Sequence, residues 1–396
     1  MFNGVLIAIV CLPAFLTFVW FFQIVAGCFA LHRKRPPSAK SAGAFLHRTT
    51  VLIPAHDEGS GILPTLTDVL DQLGPRDSVL VVADNCTDDT AAIAEAAGAK
   101  VAVRVDPTRR GKGYALEFGV RHLSANPPDV VVILDADCRL GEDALRHLSA
   151  RAIGSGRPAQ ALYLMLPRES ALQAKGVNLF AWRVKNWVRP LGLALFGLPT
   201  QLVGTGMAFP FGLLQDRDLG NSRLAEDTAL GIALTSSGHA PHFVSEAKVY
   251  SHFPASQVGS ERQRLRWEKG HIDNIVELVP EALIKSLRDG NLDLAALAID
   301  MAVPPLSLLV LVTVACEILA GAALLVGISS TAFVISSLST LLLVLGTTLA
   351  WTAVGRDILP FHELLRLPLH AFKKLGLYHS ISSGKAASAW IRTDRN

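Results

Sequence analysis

The sequence predicts an α/β fold, a mixed sheet in a doubly wound arrangement, attached to helices that cross a membrane. Three observations carry this. Short β-branched runs alternate with helical spacing between residues 49 and 134. One run, Val130-Val131-Val132-Ile133-Leu134, is apolar on both faces, as a strand in the middle of a parallel sheet is. Stretches 5–31, 303–327 and 331–354 are each apolar over at least the ~20 residues that a bilayer requires.

Composition points the same way. Hydrophobic residues make up 50% of 396 and charged ones 18%, and the mean hydropathy is +0.37. A net charge of +3, with no Arg/Lys run interleaved with aromatics, argues against a nucleic-acid partner. The five cysteines (11, 28, 86, 138 and 316) form no CxxC pair, so neither a disulfide framework nor a zinc site follows.

Residues 5–31 carry no charge, and the basic cluster His32-Arg33-Lys34-Arg35 follows them. A cleaved signal peptide has basic residues before a shorter apolar region. The order here predicts a transmembrane signal anchor over 1–31, with residue 32 onward in the cytoplasm. Residues 32–48 read as a linker, and 49–290 as one catalytic domain. Within it, strands are expected at 49–53, 78–83, 101–105 and 130–134, with helices at 61–73, 90–97 and 113–123.

Residues 176–199 place Val177, Phe180, Val184, Trp187, Val188, Leu191, Leu195 and Leu198 at helical spacing, broken by Arg183, Lys185 and Arg189. Aromatics with arginines suit a helix in the headgroup plane, or an amphipathic helix packed on the sheet, and Pro190 would kink either. The later runs are joined by Ile328-Ser329-Ser330, which predicts a hairpin within 301–355. Glu317 interrupts the first, and a lone intramembrane acid faces protein or water. The tail, 356–396, is basic and amphipathic. Three crossings place the protein in the plasma or inner membrane, with its catalytic domain in the cytoplasm.

The chemistry gathers at strand ends. In open α/β sheets, ligands sit outside the carboxyl ends of strands. Strand 130–134 ends in Asp135-Ala136-Asp137, and residues at i and i+2 of an extended segment share a face, so one hard cation can meet both carboxylates. Pro54-Ala55-His56-Asp57-Glu58 follows the first strand, and Asp84 ends the second. Asp88 or Asp89 suits the N-cap of the helix beginning at Thr90. Arg109-Arg110-Gly111-Lys112-Gly113 puts cations beside glycines at a helix start, which suits a diphosphate. It is not a P-loop, since no glycine lies six residues before Lys112 and no Ser or Thr follows it, and not GxGxxG, since residue 116 is Leu. Carboxylates for a metal and ribose, with a lysine for phosphate charge, are what a nucleoside diphosphate held through a divalent cation needs.

These motifs resemble those of membrane-integrated family 2 glycosyltransferases, whose members include cellulose, hyaluronan and chitin-oligosaccharide synthases. Leu224-Ala225-Glu226-Asp227-Thr228 resembles the family's Thr-Glu-Asp motif, with Ala225 in place of threonine. Gln263-Arg264-Leu265-Arg266-Trp267 matches its QxxRW motif. The order is specific: a DxD, an ED about 90 residues on, and QRLRW about 36 after that. The resemblance implies a GT-A fold and inverting hexose transfer from a nucleoside-diphosphate sugar, with UDP expected, to a membrane-presented glycan or lipid-linked sugar. Asp227 would be the base, with Glu226 beside it. Asp135 and Asp137 would hold Mg²⁺ or Mn²⁺. Glu58, Asp84, Lys112, Asp135, Gln263, Arg264 and Arg266 would bind the nucleotide sugar. Trp267 and the loop residues Gly204, Thr205 and Gly206 would meet the acceptor. His239, His242 and His252 are expected to be structural.

Other readings stay open at this point. A processive synthase that exports its polymer would need more membrane helices, or association of subunits into a homo-oligomer. A sugar-1-phosphate nucleotidyltransferase shares the carboxylates and metal but has no use for QRLRW. A membrane-bound sensor with a dead site would bind sugar nucleotide without turnover.

Overall fold

The computed structural model describes residues 2–33, 47–167, 172–215, 217–220, 226–254 and 257–383. Most of the expected linker, Leu224, Ala225, the side chain of Glu226 and the end of the basic tail, including Lys385, lie outside the described residues.

Among the described residues, eight strands form one mixed sheet in the order β3-β2-β1-β4-β7-β6-β8-β5. β1 (Thr49–Ala55) pairs in parallel with β2 (Ser78–Asp84) and β4 (Val130–Ile133), and β3 (Lys100–Arg104) lies outside β2. β7 (Met207–Pro210) runs antiparallel to β4 and to β6 (Ala159–Leu166). β8 (His242–His252) is parallel to β6, and the two-residue β5 (Arg139–Leu140) closes the edge. The period of two divides the strand residues between two cores. Val51, Ile53, Val130 and Val132 pack on one side, and Leu52, Leu80, Val131 and Ile133 on the other. Both sides are dry, which is why strand 130–133 reads as unbroken valine and isoleucine.

The expected helix at 61–73 is split. A 3₁₀ turn at Gly59–Ile62 precedes α2 (Leu63–Leu70), whose early Pro64 lacks the N–H a longer helix would need there. α3 (Thr90–Ala96) and α4 (Lys112–Leu123) lie near their expected bounds. Asp88, not Asp89, supplies the side-chain acceptor for the Thr90 N–H, at 3.0 Å. α4 presses on the sheet through Gly119, where a Cβ would stand 2.5 Å from Leu52. α5 (Ala144–Ser155) covers the other face.

Among the described residues, three helices are long and apolar enough to cross a membrane: α1 (Phe2–His32), α11 (Leu306–Leu325) and α12 (Ser330–Val354). α12 lies close on α1, since a Cβ on Gly346 would meet Trp20 at 2.5 Å. Glu317 of α11 accepts from Ser337 Oγ at 2.8 Å and Thr340 Oγ1 at 3.2 Å, so this acid faces hydroxyls of the neighbouring helix.

Residues expected to form one amphipathic helix fold as α6 (Leu172–Arg183), a π-helical turn (Val184–Val188) and α7 (Arg189–Leu195). The π turn ends two residues before Pro190, which cannot donate to the ladder. α7 crosses α1 at backbone distance: a Cβ on Gly27 would stand 2.0 Å from the Val188 carbonyl, and one on Gly192 2.3 Å from that of Gln23. A buried polar knot fastens this crossing. Arg189 donates to Gln23 Oε1 at 2.7 Å and to Asp300 Oδ1 at 2.7 Å, Gln23 donates to Asp300 Oδ1 at 2.9 Å, and Gln201 to Asp300 Oδ2 at 2.6 Å. Asp300 belongs to α10 (Leu292–Ala302), which follows the long α9 (Gln257–Asp289). Removing one partner strands a buried charge, so Asp300→Ala is expected to cost about 3–5 kcal/mol, read as a lowered melting temperature in detergent.

His271 of α9 is held against the Val303 carbonyl at 3.0 Å. Burial, with Lys185 nearby, pushes its pKa down to about 3. The folded chain therefore refuses a proton that the unfolded chain binds below about pH 6.5. Stability from this ring is intact above that value and falls as pH drops toward 3, by about 1.4 kcal/mol per unit. His271→Gln should flatten the acid limb of a melting-temperature profile.

Candidate active site

At the carboxyl ends of β1, β2 and β4 the sheet opens into a crevice of about 210 Å³. Glu58, Asp84, Lys112, Asp135, Asp137 and Arg266 line it. Two loops reach it through left-handed residues, Asp57 (φ 51°) and Asn85 (φ 50°), types that tolerate this conformation. The loops are tied together where Asp57 Oδ1 accepts from the Thr87 N–H at 2.6 Å.

Asp84 is fixed by its neighbour in register. Arg104 sits opposite it across the parallel pair and donates to its Oδ1 at 2.6 Å, both side chains being buried. Of the three cations in the loop after β3, Arg109 turns away to Asp106 at 2.8 Å, whereas Arg110 and Lys112 line the crevice. Lys112 Nζ bonds to Asp135 Oδ1 and donates to the Gly204 carbonyl at 2.6 Å.

Carboxylate oxygens of Asp135 and Asp137 and the Cys138 sulfur lie within 4.8 Å of one another. Burial, reinforced by the Asp135 carboxylate, pushes the Cys138 thiol up to about 12, so it stays protonated. The donors are then two hard carboxylates, which fits Mg²⁺ or Mn²⁺ rather than a thiophilic metal.

Asp227 opens α8 (Glu226–Ser236), its Oδ1 accepting from the Thr228 N–H at 2.8 Å. It faces a second chamber of about 390 Å³, also lined by Lys112 and Gly204. Gly204 holds φ +88°, and a Cβ there would stand 3.4 Å from Asp227 Oδ2 and 3.5 Å from Lys112 Nζ. Lys112 therefore stands between the carboxylate pair and Asp227. β7 makes this possible: it runs antiparallel to β4 with Met207 opposite Ile133, which brings the loop before it to the Asp135 end.

Four expected placements change. Thr205 is fully buried, accepts from the Asp135 N–H at 3.0 Å and donates to Cys138 Sγ at 3.5 Å, so it braces the DxD turn from behind. A Cβ on Gly206 would meet Val249 at 2.7 Å and Ala161 at 2.8 Å; that glycine is walled in too. Only Gly204 of this loop reaches the chamber. Gln263 and Arg264 do not line the crevice. Helical rotation of 100° per residue puts 263, 264 and 267 on one face of α9, and Arg266 on another. Gln263, Arg264 and Trp267 line a third cavity, of about 180 Å³, against α6 and the start of α11. Trp267 packs there 4.8 Å from Trp182, ring centre to ring centre.

Sequence reasoning missed Arg104 and Asn85, and also Lys185, which lines the third cavity beside Arg264 and Trp267. Arg104 was legible: once strands 78–84 and 100–104 are aligned in parallel, it falls beside Asp84. Lys185 was not, because its position depends on the π turn.

Residues 47–270 match the model of the family described as "Glycosyltransferase like family 2". The chain is 33% identical over 142 residues to 4,4'-diaponeurosporenoate glycosyltransferase of Staphylococcus aureus, covering 35% of this chain and 36% of that protein. It is 26% identical over 243 residues to the probable glycosyltransferase YdaM of Bacillus subtilis, covering 57% and 56%. The matches thus span between about a third and just over half the length of these curated relatives. Among solved structures, the mannosyltransferase PcManGT of Pyrobaculum calidifontis, in complex with GDP-Man and Mn²⁺, superposes with a TM-score of 0.51 at 18% identity. That superposition covers 87% of this chain and 98% of PcManGT, a likeness of fold.

Proposed function

This chain belongs to the glycosyltransferase-like family 2, and from that premise we propose that it transfers a hexose, with inversion, from a UDP-linked donor to an acceptor presented at the membrane surface. The catalytic domain, 49–290, works on the cytoplasmic side. One observation carries the reading: Lys112 joins the DxD crevice to the chamber that holds Asp227. A diphosphate in the crevice points its sugar toward that carboxylate.

Asp135 and Asp137 would hold a Mg²⁺ or Mn²⁺ ion, which supplies positive charge against the departing diphosphate. The protein's own residues do the rest. The acceptor oxygen attacks C1 from the face opposite the diphosphate, and its proton passes to Asp227. The C1–O bond to phosphate breaks, and Lys112 and Arg266 take up negative charge on the leaving group. Glu58 and Asp84, which line the same crevice, would accept from ribose hydroxyls or base N–H groups.

The test is a donor screen on the purified full-length chain, scoring nucleoside diphosphate release with membrane extract as acceptor. The expected result is UDP release from a UDP-hexose, with product of inverted anomeric configuration by NMR. Pyrophosphate release from a nucleoside triphosphate and a sugar phosphate would replace this reading with a nucleotidyltransferase. A ladder of long products on a gel would make the enzyme processive.

A further inference from the structure

The third cavity has no part in the donor chemistry above. Its wall is built by helices of both halves of the chain: Trp20 of α1, Trp182 of α6, Trp267 of α9, and Leu306 and Val310 of α11. Aromatic and aliphatic side chains dominate, yet four cations also reach it. Two of these are committed, Arg189 to Asp300 at 2.7 Å and Lys374 to Glu268 at 2.6 Å. Lys185 and Arg264 form no ion pair among the described residues, and both line the cavity.

Three polar atoms on this wall are buried without a hydrogen-bond partner among the described residues: Gln263 Oε1, Arg264 Nε and Glu268 Oε2. Gln263 is only 3% exposed. Orphaned buried polar groups cost about 1–3 kcal/mol each, and here they crowd one short stretch of helix facing one cavity. Lys185 sits in the π-helical turn, an irregularity that occurs often at functional sites. It is accessible through the cavity although protein surrounds it. That enclosure, with Arg189 beside it, lowers its pKa, and the Asp227 carboxylate is near enough to act on it in the opposite sense.

We propose that this cavity seats the acceptor, and that the acceptor is a phosphate-bearing lipid whose head lies between Lys185 and Arg264. The apolar tail leaves along Leu306 and Val310 toward the membrane helices, and a sugar attached to the phosphate reaches back past Trp267 to Asp227. The assignment rests on the transferase reading and narrows its acceptor to one chemical class. A neutral glycan could meet the orphaned groups of α9 through its hydroxyls but would leave both cations without a counter-charge. A phosphate supplies the negative charge and accepts from Arg264 Nε, while hydroxyls of the sugar attached to it donate to Gln263 Oε1 and Glu268 Oε2.

The probe is 12-bromododecyl phosphate, titrated into the purified full-length chain in neutral detergent. Bromine quenches tryptophan on contact, and three tryptophans line the cavity, so a tail seated there is read as a fall in fluorescence. Saturable quenching is expected, at least tenfold weaker in Lys185→Met and restored in Lys185→Arg, with 12-bromododecanol binding at least tenfold more weakly than the phosphate. Equal binding of alcohol and phosphate, or a Lys185→Met variant that folds by melting and binds as the parent does, overturns the proposal. If Lys185→Met does not fold, Arg264→Gln takes its place with the same two outcomes. Calorimetric binding of UDP with Mn²⁺ runs in parallel on the parent chain. Loss of the phosphate preference with UDP binding intact defeats this inference alone. Absent UDP binding defeats the transferase reading and the acceptor role with it.

Discussion

Asp227→Asn is expected to lower the rate of sugar transfer by about 10²–10⁴-fold, the usual contribution of a positioned general base. The substitution is nearly isosteric, and the amide oxygen can still accept from the Thr228 N–H that Oδ1 now accepts from. The loop about Gly204 therefore keeps its neighbour, and Lys112 keeps its bonds to Asp135 and to the Gly204 carbonyl. Donor affinity should stay within about threefold, because what is lost acts only as the acceptor proton moves. In free-energy terms the loss is about 3–5 kcal/mol of transition-state stabilisation, at 1.36 kcal/mol per decade. Turnover and UDP affinity measured on the same preparation decide it. An Asn variant with more than about a tenth of parent turnover would remove Asp227 from the base role and leave the acceptor to be activated elsewhere.

Local pattern reaches only part of such a site. The parallel strands were legible because each is a run of β-branched residues closed by an acid, and burial on both faces leaves no polar residue to confuse the period. The antiparallel half was harder. β7 is four residues long and β5 two, too short for periodicity, and both are specified by partners distant in sequence. Thr205 and Gly206 show the consequence. A glycine-flanked threonine after an apolar pair reads as a ligand loop, yet the packing of β7 between β4 and β6 turns both residues inward. Gly204 keeps its place facing Asp227 because it precedes the strand. QRLRW illustrates the converse: the motif was plain, but its separation into Arg266 on one side and Gln263, Arg264 and Trp267 on the other appears only once those residues lie on a single helix. The buried knot of Gln23, Arg189, Gln201 and Asp300 joins four segments far apart in the chain, and no local spacing predicts it.

Asp137→Ala should fail differently. Asp135 leans on Lys112 and has its backbone N–H braced by Thr205, whereas Asp137 stands beyond the turn with Ser251 Oγ 3.4 Å from its Oδ2. On the proposed reading the divalent ion rests on the two carboxylates, Asp135 and Asp137, whose oxygens lie within 4.8 Å of one another. With one removed, the remaining carboxylate is the one already paired with an ammonium, and metal affinity should collapse. The parent chain is expected to bind UDP at least tenfold more tightly with Mn²⁺ than after chelation, whereas the Ala variant should bind it equally weakly in both conditions. Its transfer rate should fall about 10²-fold or more, because Lys112 and Arg266 would then face the departing diphosphate without the ion's charge. Asp227→Asn keeps the metal dependence of UDP binding and loses turnover; Asp137→Ala loses both. A Lys112→Met variant sharpens the contrast. Freed of its ammonium, Asp135 offers a full carboxylate to the ion, so metal affinity should hold or rise while turnover falls for want of a cation beside the diphosphate. If Asp137→Ala instead retained metal-dependent UDP binding, the ion would have to sit off the DxD turn, and the alignment of donor with Asp227 through Lys112 would lose its anchor.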